Sequence, residues 1–198
     1  MTESARQESN PQLWAHFKQG DREAFSLIYE LYVNVLFAYG TKISADSDLV
    51  KDSVHDVFLQ LYKQRDNLSD ISNIKFYLFK SLKHNLLRRI NREKRFSERY
   101  GFQISSPEFH IEYSVEENII QDEHEKNVKI YVLRLLENLN SSQREILYLR
   151  FHQGFSYDQI SRITGINSNS AKKQVYRIMQ RLREIAGKES LNLLLLFL

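Results

Sequence analysis

The sequence predicts an all-α protein made of two small helical domains, an N-terminal helical bundle and a C-terminal helix-turn-helix domain, joined by a flexible acidic linker. Three observations carry that expectation. Only 6 glycines and 2 prolines punctuate 198 residues, too few for a many-turned β architecture. Apolar residues recur at helical spacing in one segment after another. A strongly basic block is followed directly by a strongly acidic one, and the change of sign divides the chain.

The elements follow in chain order. Asn10-Pro11 reads as a cap with proline at the first helical position, then Leu13, Trp14 and Phe17 facing inward and Gly20 closing the turn. Asp21 caps a longer helix with Phe25, Ile28, Leu31, Tyr32 and Val35 as its stripe. A third helix begins near Ser47 and carries Val50, Val54, Val57, Phe58 and Leu61 on one face. A fourth begins around Ser72, with Ile74, Leu78, Phe79, Leu82 and Leu86 inside. Four amphipathic helices joined by short loops can close a bundle of their own, and residues 10–96 form the first expected domain.

The fourth helix is strongly basic. Between Lys75 and Arg95 stand eight cations against Glu93 alone, interleaved with Phe76, Tyr77, Phe79 and Phe96. Cations along a helix suit a phosphate backbone, and aromatics at the edge can stack on an unpaired base. Phe79 belongs to the apolar stripe and is expected in the core; Phe76 and Tyr77 flank it and are the candidates for base contact. From Gly101 to Asn127 seven acids face Lys126 alone, with Ser105-Ser-Pro107 inside, so residues 97–127 are expected to be the acidic linker.

Residues 128–187 form the second expected domain. Phe155 to Gly165 reads as a short helix closed by a glycine suited to the left-handed position. After Ile166-Asn-Ser-Asn169 a second helix starts near Ser170, with Ala171, Val175, Ile178, Leu182 and Ile185 on one side. At about 100° per residue, Lys173, Tyr176, Arg177 and Gln180 project from the other side. No acid interrupts Lys172, Lys173, Arg177, Arg181 and Arg183. A helix anchored along one side, cationic on the other and held by a preceding helix through a tight turn has the form of a helix-turn-helix entering a major groove. A bland helical hairpin is the competing reading of this stretch alone. The apolar tail, residues 188–198, is too short to cross a bilayer and is expected to pack on the adjacent domain or on its own helix, with docking to a partner as the alternative.

The totals exclude other classes. Hydrophobic content of 42% and charged content of 27% fit a folded chain and not a disordered one. A net charge of only +3 means that any nucleic-acid role rests on local clusters. The absence of cysteine removes disulfides, thiolate catalysis and zinc fingers, and fits a reducing cytoplasm. The polar segment Met1 to Asn10 has no apolar core of the kind a secretory signal needs. The 6 histidines form no His-Glu-x-x-His pair, and there is no glycine-rich phosphate cradle or serine nucleophile elbow. Asp122-Glu-His-Glu125 reads as solvated linker in preference to a metal site. No enzyme, metal, cofactor or small-molecule substrate is expected.

Four segments taken in order, Asp52-Ser-Val-His-Asp-Val-Phe-Leu-Gln-Leu-Tyr62, Asn73-Ile-Lys-Phe-Tyr-Leu-Phe-Lys80, Ser142-Gln-Arg-Glu-Ile-Leu-Tyr-Leu-Arg-Phe151 and Gly154-Phe-Ser-Tyr-Asp-Gln-Ile160, resemble the extracytoplasmic-function (ECF) sigma factors of the sigma-70 family. The resemblance runs from Leu13 to Ile185. It implies a cytoplasmic transcription initiation factor that binds core RNA polymerase and directs it to promoter DNA, under control of an anti-sigma factor. It also implies residue roles. Asp52, His55, Asp56 and Gln60 would face the polymerase. Lys75, Phe76, Tyr77, Lys80, Lys83, His84 and Arg88 would read and open the −10 element. Asn169, Ser170, Lys172, Lys173, Tyr176, Arg177, Gln180 and Arg181 would read the −35 element. His55 stands where the family usually has glutamine, Tyr77 where it often has tryptophan, Asn140-Ser141 in place of leucine-proline, and Ser170-Ala171 in place of threonine-valine. The alternative is a stand-alone helix-turn-helix regulator whose N-terminal bundle senses or dimerises.

Overall fold

A computed structural model describes residues 11–68, 73–99, 108–110, 134, 136 and 138–186. The tail 188–198, Asn10, Ser72 and nearly all of the acidic segment lie outside the described residues. The chain divides into two compact units, Met1–Glu108 and Phe109–Leu198. Every regular element among the described residues is helical, so the all-α expectation holds.

In the first unit, α1 (Pro11–Lys18) buries Trp14 and Phe17, and Gly20 turns the chain at φ +88°. Asp21 then caps α2 (Arg22–Ile43), its Oδ1 accepting the N–H groups of Glu23 at 2.8 Å and Ala24 at 3.3 Å. The buried stripe of α2 is Ala24, Ile28, Tyr32, Leu36, Tyr39 and Ile43, rotated from the predicted one. Phe25, Leu31 and Val35 are half-buried at its margin. Phe25 is a rim residue because it joins an aromatic cluster at the edge of the bundle, with the rings of Phe17 and Tyr62 at 5.9 and 5.1 Å.

Asp46 caps α3 (Ser47–Lys63) through the N–H groups of Asp48 and Leu49, and all five predicted core residues of this helix are buried. Helix α4 (Ile74–Arg99) starts later than predicted because the side chain of Asn73 accepts the Phe76 N–H at 2.8 Å. It buries Ile74, Leu78, Phe79, Leu82, Leu86 and Ile90, and it continues beyond residue 96. Where α2 meets α3, the Val50 side chain packs so close to Gly40 that a Cβ there would lie 2.5 Å from Val50 Cγ1 and 3.5 Å from Leu86 Cδ1.

The second unit begins with a departure from expectation. Phe109, read from the sequence as part of the flexible linker, is buried in this unit. Its N–H donates to Ser141 Oγ at 2.7 Å, its carbonyl accepts from Arg144 at 3.4 Å, and its ring lies 5.6 Å from that of Tyr148. Helix α5 (Ser141–Leu147) opens on a capping box, in which Asn140 and Gln143 exchange side-chain to backbone hydrogen bonds of 2.9 and 3.0 Å. It widens into a π turn over Tyr148–His152, which lets the Gln153 N–H reach the Tyr148 carbonyl and the Gln153 amide donate to the Tyr148 hydroxyl at 2.9 Å.

Burial pushes the Tyr148 hydroxyl up to about 12, opposed only in part by the hydrogen bond from Gln153. An unfolded tyrosine ionises near pH 10, so the stability gained from the buried neutral form is fully present below that pH. It is lost as the pH rises towards about 12. We expect Tyr148→Phe to be less stable than wild type by about 1 kcal/mol at neutral pH, since it strands the Gln153 amide. Near pH 12 the order should reverse, because wild type alone gives up roughly 2 kcal/mol. Urea unfolding followed by far-UV circular dichroism checks this; parallel pH profiles for the two proteins would refute it.

Helix α6 (Tyr157–Thr164) begins at a second capping box, between Ser156 and Gln159, and ends at Gly165 with φ +78°. Helix α7 (Ser168–Ala186) starts two residues before the predicted Ser170, since Asn167 caps it: its side chain accepts the Asn169 N–H at 3.0 Å. Ala171, Val175, Ile178 and Met179 face inward.

Candidate nucleic-acid interface

Each unit presents one cationic helix face. In the second unit the buried stripe of α7 fixes its rotation, and α6 packs beside it through Ile160 and Ile163. The outward set is Asn169, Ser170, Lys172, Lys173, Tyr176, Arg177, Gln180 and Arg181, all exposed, with Tyr176 at 67%. All eight residues singled out in this helix thus share its solvent side. Gln180 also donates to Glu184 at 3.4 Å, so its amide is already oriented along the helix. Three or four residues separate Lys173, Tyr176 or Arg177, and Gln180, the spacing that aligns side chains in one row.

In the first unit α4 does the same over a greater length. Lys80, His84 and Arg88 are exposed, and Lys75, Phe76 and Tyr77 are half-buried where the helix begins. Lys83 is different: at 9% exposure it is turned into the bundle, four residues after Phe79 and three before Leu86, and so leaves the open row. Beyond Arg88 the row continues through the exposed Arg92, Arg95 and Arg99, with Phe96 63% exposed among them. Arg92, Arg95 and Phe96 belong to the basic run read from the sequence, without an individual role there, and Arg99 lies beyond it. Their signal was present, as the spacing of three and four residues simply runs on past Arg88.

On α3, Asp52, Asp56 and Gln60 stand at intervals of four, with His55 beside them; Asp52, His55 and Gln60 are exposed and Asp56 is half-buried. Two of the four are drawn towards α4. Asp56 pairs with Arg89 of α4, and Asp52 Oδ2 lies 4.0 Å from the same guanidinium. Arg89 Nε donates to Asn85 Oδ1 at 3.0 Å. An open groove beside this pair is lined by Asp56, His84, Arg88, Arg92, Arg95 and Phe96 among others. Among the described residues no group of three or more histidine, cysteine, aspartate or glutamate side chains could hold a metal ion, and no helix is long and apolar enough to cross a membrane. Asp122–Glu125 lies outside the described residues.

Comparison with known proteins assigns both units. The family profile described as Sigma-70 region 2 matches residues 28–96, and the profile described as Sigma-70, region 4 matches residues 129–182, together more than half of the chain. The chain is 22% identical over 162 residues to the ECF RNA polymerase sigma factor SigM of Bacillus subtilis, covering 81% of this chain and 94% of that one. It is 19% identical over 176 residues to the RNA polymerase sigma factor CarQ of Myxococcus xanthus, covering 89% and 97%. Among solved structures it is similar in fold to the sigma factor RpoE of Bartonella quintana, solved with the anti-sigma factor NepR. There the TM-score is 0.56 and the identity 24%, covering 83% of this chain and 98% of the other.

Proposed function

Because this chain belongs to the sigma-70 family, in its extracytoplasmic-function group, we propose how its two units divide the work of promoter recognition. It is a sigma factor that directs RNA polymerase to chosen promoters. In this reading residues 10–96 bind core polymerase through α3 and engage the −10 element through α4. Residues 128–187 engage the −35 element through α7. The observation that carries it is the pair of cationic helix faces, one per unit, each set opposite an apolar stripe that fixes its direction.

Contacts sort by chemistry. Lys173, Arg177 and Gln180 sit centrally on α7, where side chains reach base edges, while Lys172 and Arg181 lie to the sides and suit phosphates. On α4 the exposed Lys80 and Arg88 supply phosphate contacts, and Tyr77 offers a ring on which an unpaired base stacks. The chain acts by binding, without a catalytic step of its own, in the cytoplasm. An anti-sigma factor is its expected regulator, since the structurally similar sigma factor RpoE was solved with the anti-sigma factor NepR.

The experiment is run-off transcription with core polymerase and the purified chain, alongside gel-filtration co-elution. Promoter-dependent transcripts and co-elution are expected. A chain that fails to co-elute yet binds a duplex sequence tightly by itself would instead be a helix-turn-helix regulator. Within this scheme Tyr77→Ala should reduce open-complex formation by roughly 5- to 150-fold, the cost of about 1–3 kcal/mol for one lost base stack. Closed-complex formation should be unchanged. Unaltered permanganate reactivity of the melted strand would assign Tyr77 to packing alone.

A further inference from the structure

The geometry points to a coupling between the proposed polymerase face and the proposed −10 face: Arg89 is withheld from DNA by Asp52 and Asp56 until cationic groups of the polymerase take those carboxylates. The inference rests on the assignment of Asp52 and Asp56 to the polymerase face.

Arg89 lies on α4 between Arg88 and Arg92, in the most basic part of the helix, yet its guanidinium is turned towards α3. Nε donates to Asn85 Oδ1 at 3.0 Å, Nη2 donates to Asp56, and Nη1 is 4.0 Å from Asp52 Oδ2. The side chain is only 30% exposed, against 39% for Asp56 and 74% for Asp52. A guanidinium offers its donors in a fixed plane; here its Nε–Nη2 edge is taken by two hydrogen bonds and its charge is offset by a second carboxylate 4.0 Å from Nη1, so it must turn away from α3 to offer that edge to a phosphate. The two aspartates stand four residues apart on one face of α3, and their carboxylates cannot serve Arg89 and a partner's cations equally well at once. Competition of this kind is reciprocal: polymerase docking favours DNA contact by Arg89, and DNA contact favours docking. The free chain thus binds DNA with one cation fewer than its sequence suggests.

Counting phosphate contacts provides the test. Each contact changes the slope of log affinity against log salt by about 0.7 for single-stranded and 0.9 for duplex DNA. The affinity of the full chain for a fluorescent fork-junction DNA is measured by anisotropy over a salt series, without polymerase. Four proteins are compared: wild type, Arg89→Gln, Asp52→Asn with Asp56→Asn, and the triple variant. Wild type and Arg89→Gln should share one slope. The double aspartate variant should be steeper by roughly 0.7–0.9, and adding Arg89→Gln should remove that gain. Bound to core polymerase, Arg89→Gln should be shallower than wild type by the same amount.

Two results would overturn the inference. If Arg89→Gln already weakens DNA binding by the free chain, Arg89 is not withheld. If the triple variant keeps the gain, the aspartates act by simple repulsion of DNA. Should the double variant lose the helical circular dichroism of wild type, Asp56→Asn alone replaces it, with the same expected slopes. Co-elution separates this inference from the reading beneath it: the double variant should bind core polymerase poorly. Undiminished co-elution removes polymerase as the trigger even where the DNA slopes behave as expected.

Discussion

Reversing Lys173 and Arg177 to glutamate should lower −35-dependent transcription by roughly 100-fold or more, with binding to core polymerase unchanged. Each cation at a base edge or phosphate is worth about 1–3 kcal/mol, and a glutamate adds repulsion from the phosphates to the lost contact. Both side chains are exposed on the side of α7 opposite Ala171, Val175 and Ile178, so the reversal leaves the packing of the helix intact. Run-off transcription from two templates, one with a scrambled −35 sequence, isolates the effect. Wild type should be much weaker on the scrambled template, and the variant equally weak on both. Loss of co-elution with polymerase would show that the roles of the two units had been exchanged.

Phe79→Ala should have the second largest effect, on stability. The ring is fully buried on α4 and lies 4.8 Å from that of Tyr39 on α2, so truncation leaves a cavity between two helices. Substitutions of this kind cost about 3–5 kcal/mol, a large part of what holds a small domain together. The chain has 1 tryptophan, Trp14, and it is buried in α1 of the same unit, so its fluorescence reports the unfolding of that unit. The urea midpoint should fall by at least 1 M, given a slope of about 1–3 kcal/mol per molar. A loss below 1 kcal/mol would mean that the neighbours close over the gap. Because α4 also carries the proposed −10 face, transcription should fail at temperatures where the unit melts.

Much of this was legible in the sequence. The stripes of α3 and α4 are regular enough that each predicted core residue on them is buried. The outward set of α7 follows from the same periodicity read in reverse. Helix α2 was harder, because apolar residues flank its true stripe on both sides and period alone could not choose the phase. Two helix starts were misplaced where an asparagine takes the capping role, Asn73 before α4 and Asn167 before α7. Lys83 is buried and off the open row, and its spacing from Phe79 and Leu86 already places it on that side. The pairing of Arg89 with Asp56 joins residues 33 apart in sequence and leaves no local mark, so no periodicity could reveal it. Phe109, a lone aromatic in an acidic stretch, gained its meaning only from Ser141, Arg144 and Tyr148 in the fold.

Gly40 sets a gauge for the first unit. The gap between α2 and α3 at this point admits a hydrogen atom and nothing larger, and Leu86 of α4 closes the third side. Any side chain there acts as a wedge driven in beside Val50, two residues from Asp52, and close to Leu86, three residues from Arg89. A residue larger than glycine would press on α3 and α4 together, the two helices that the Asp56–Arg89 pair joins.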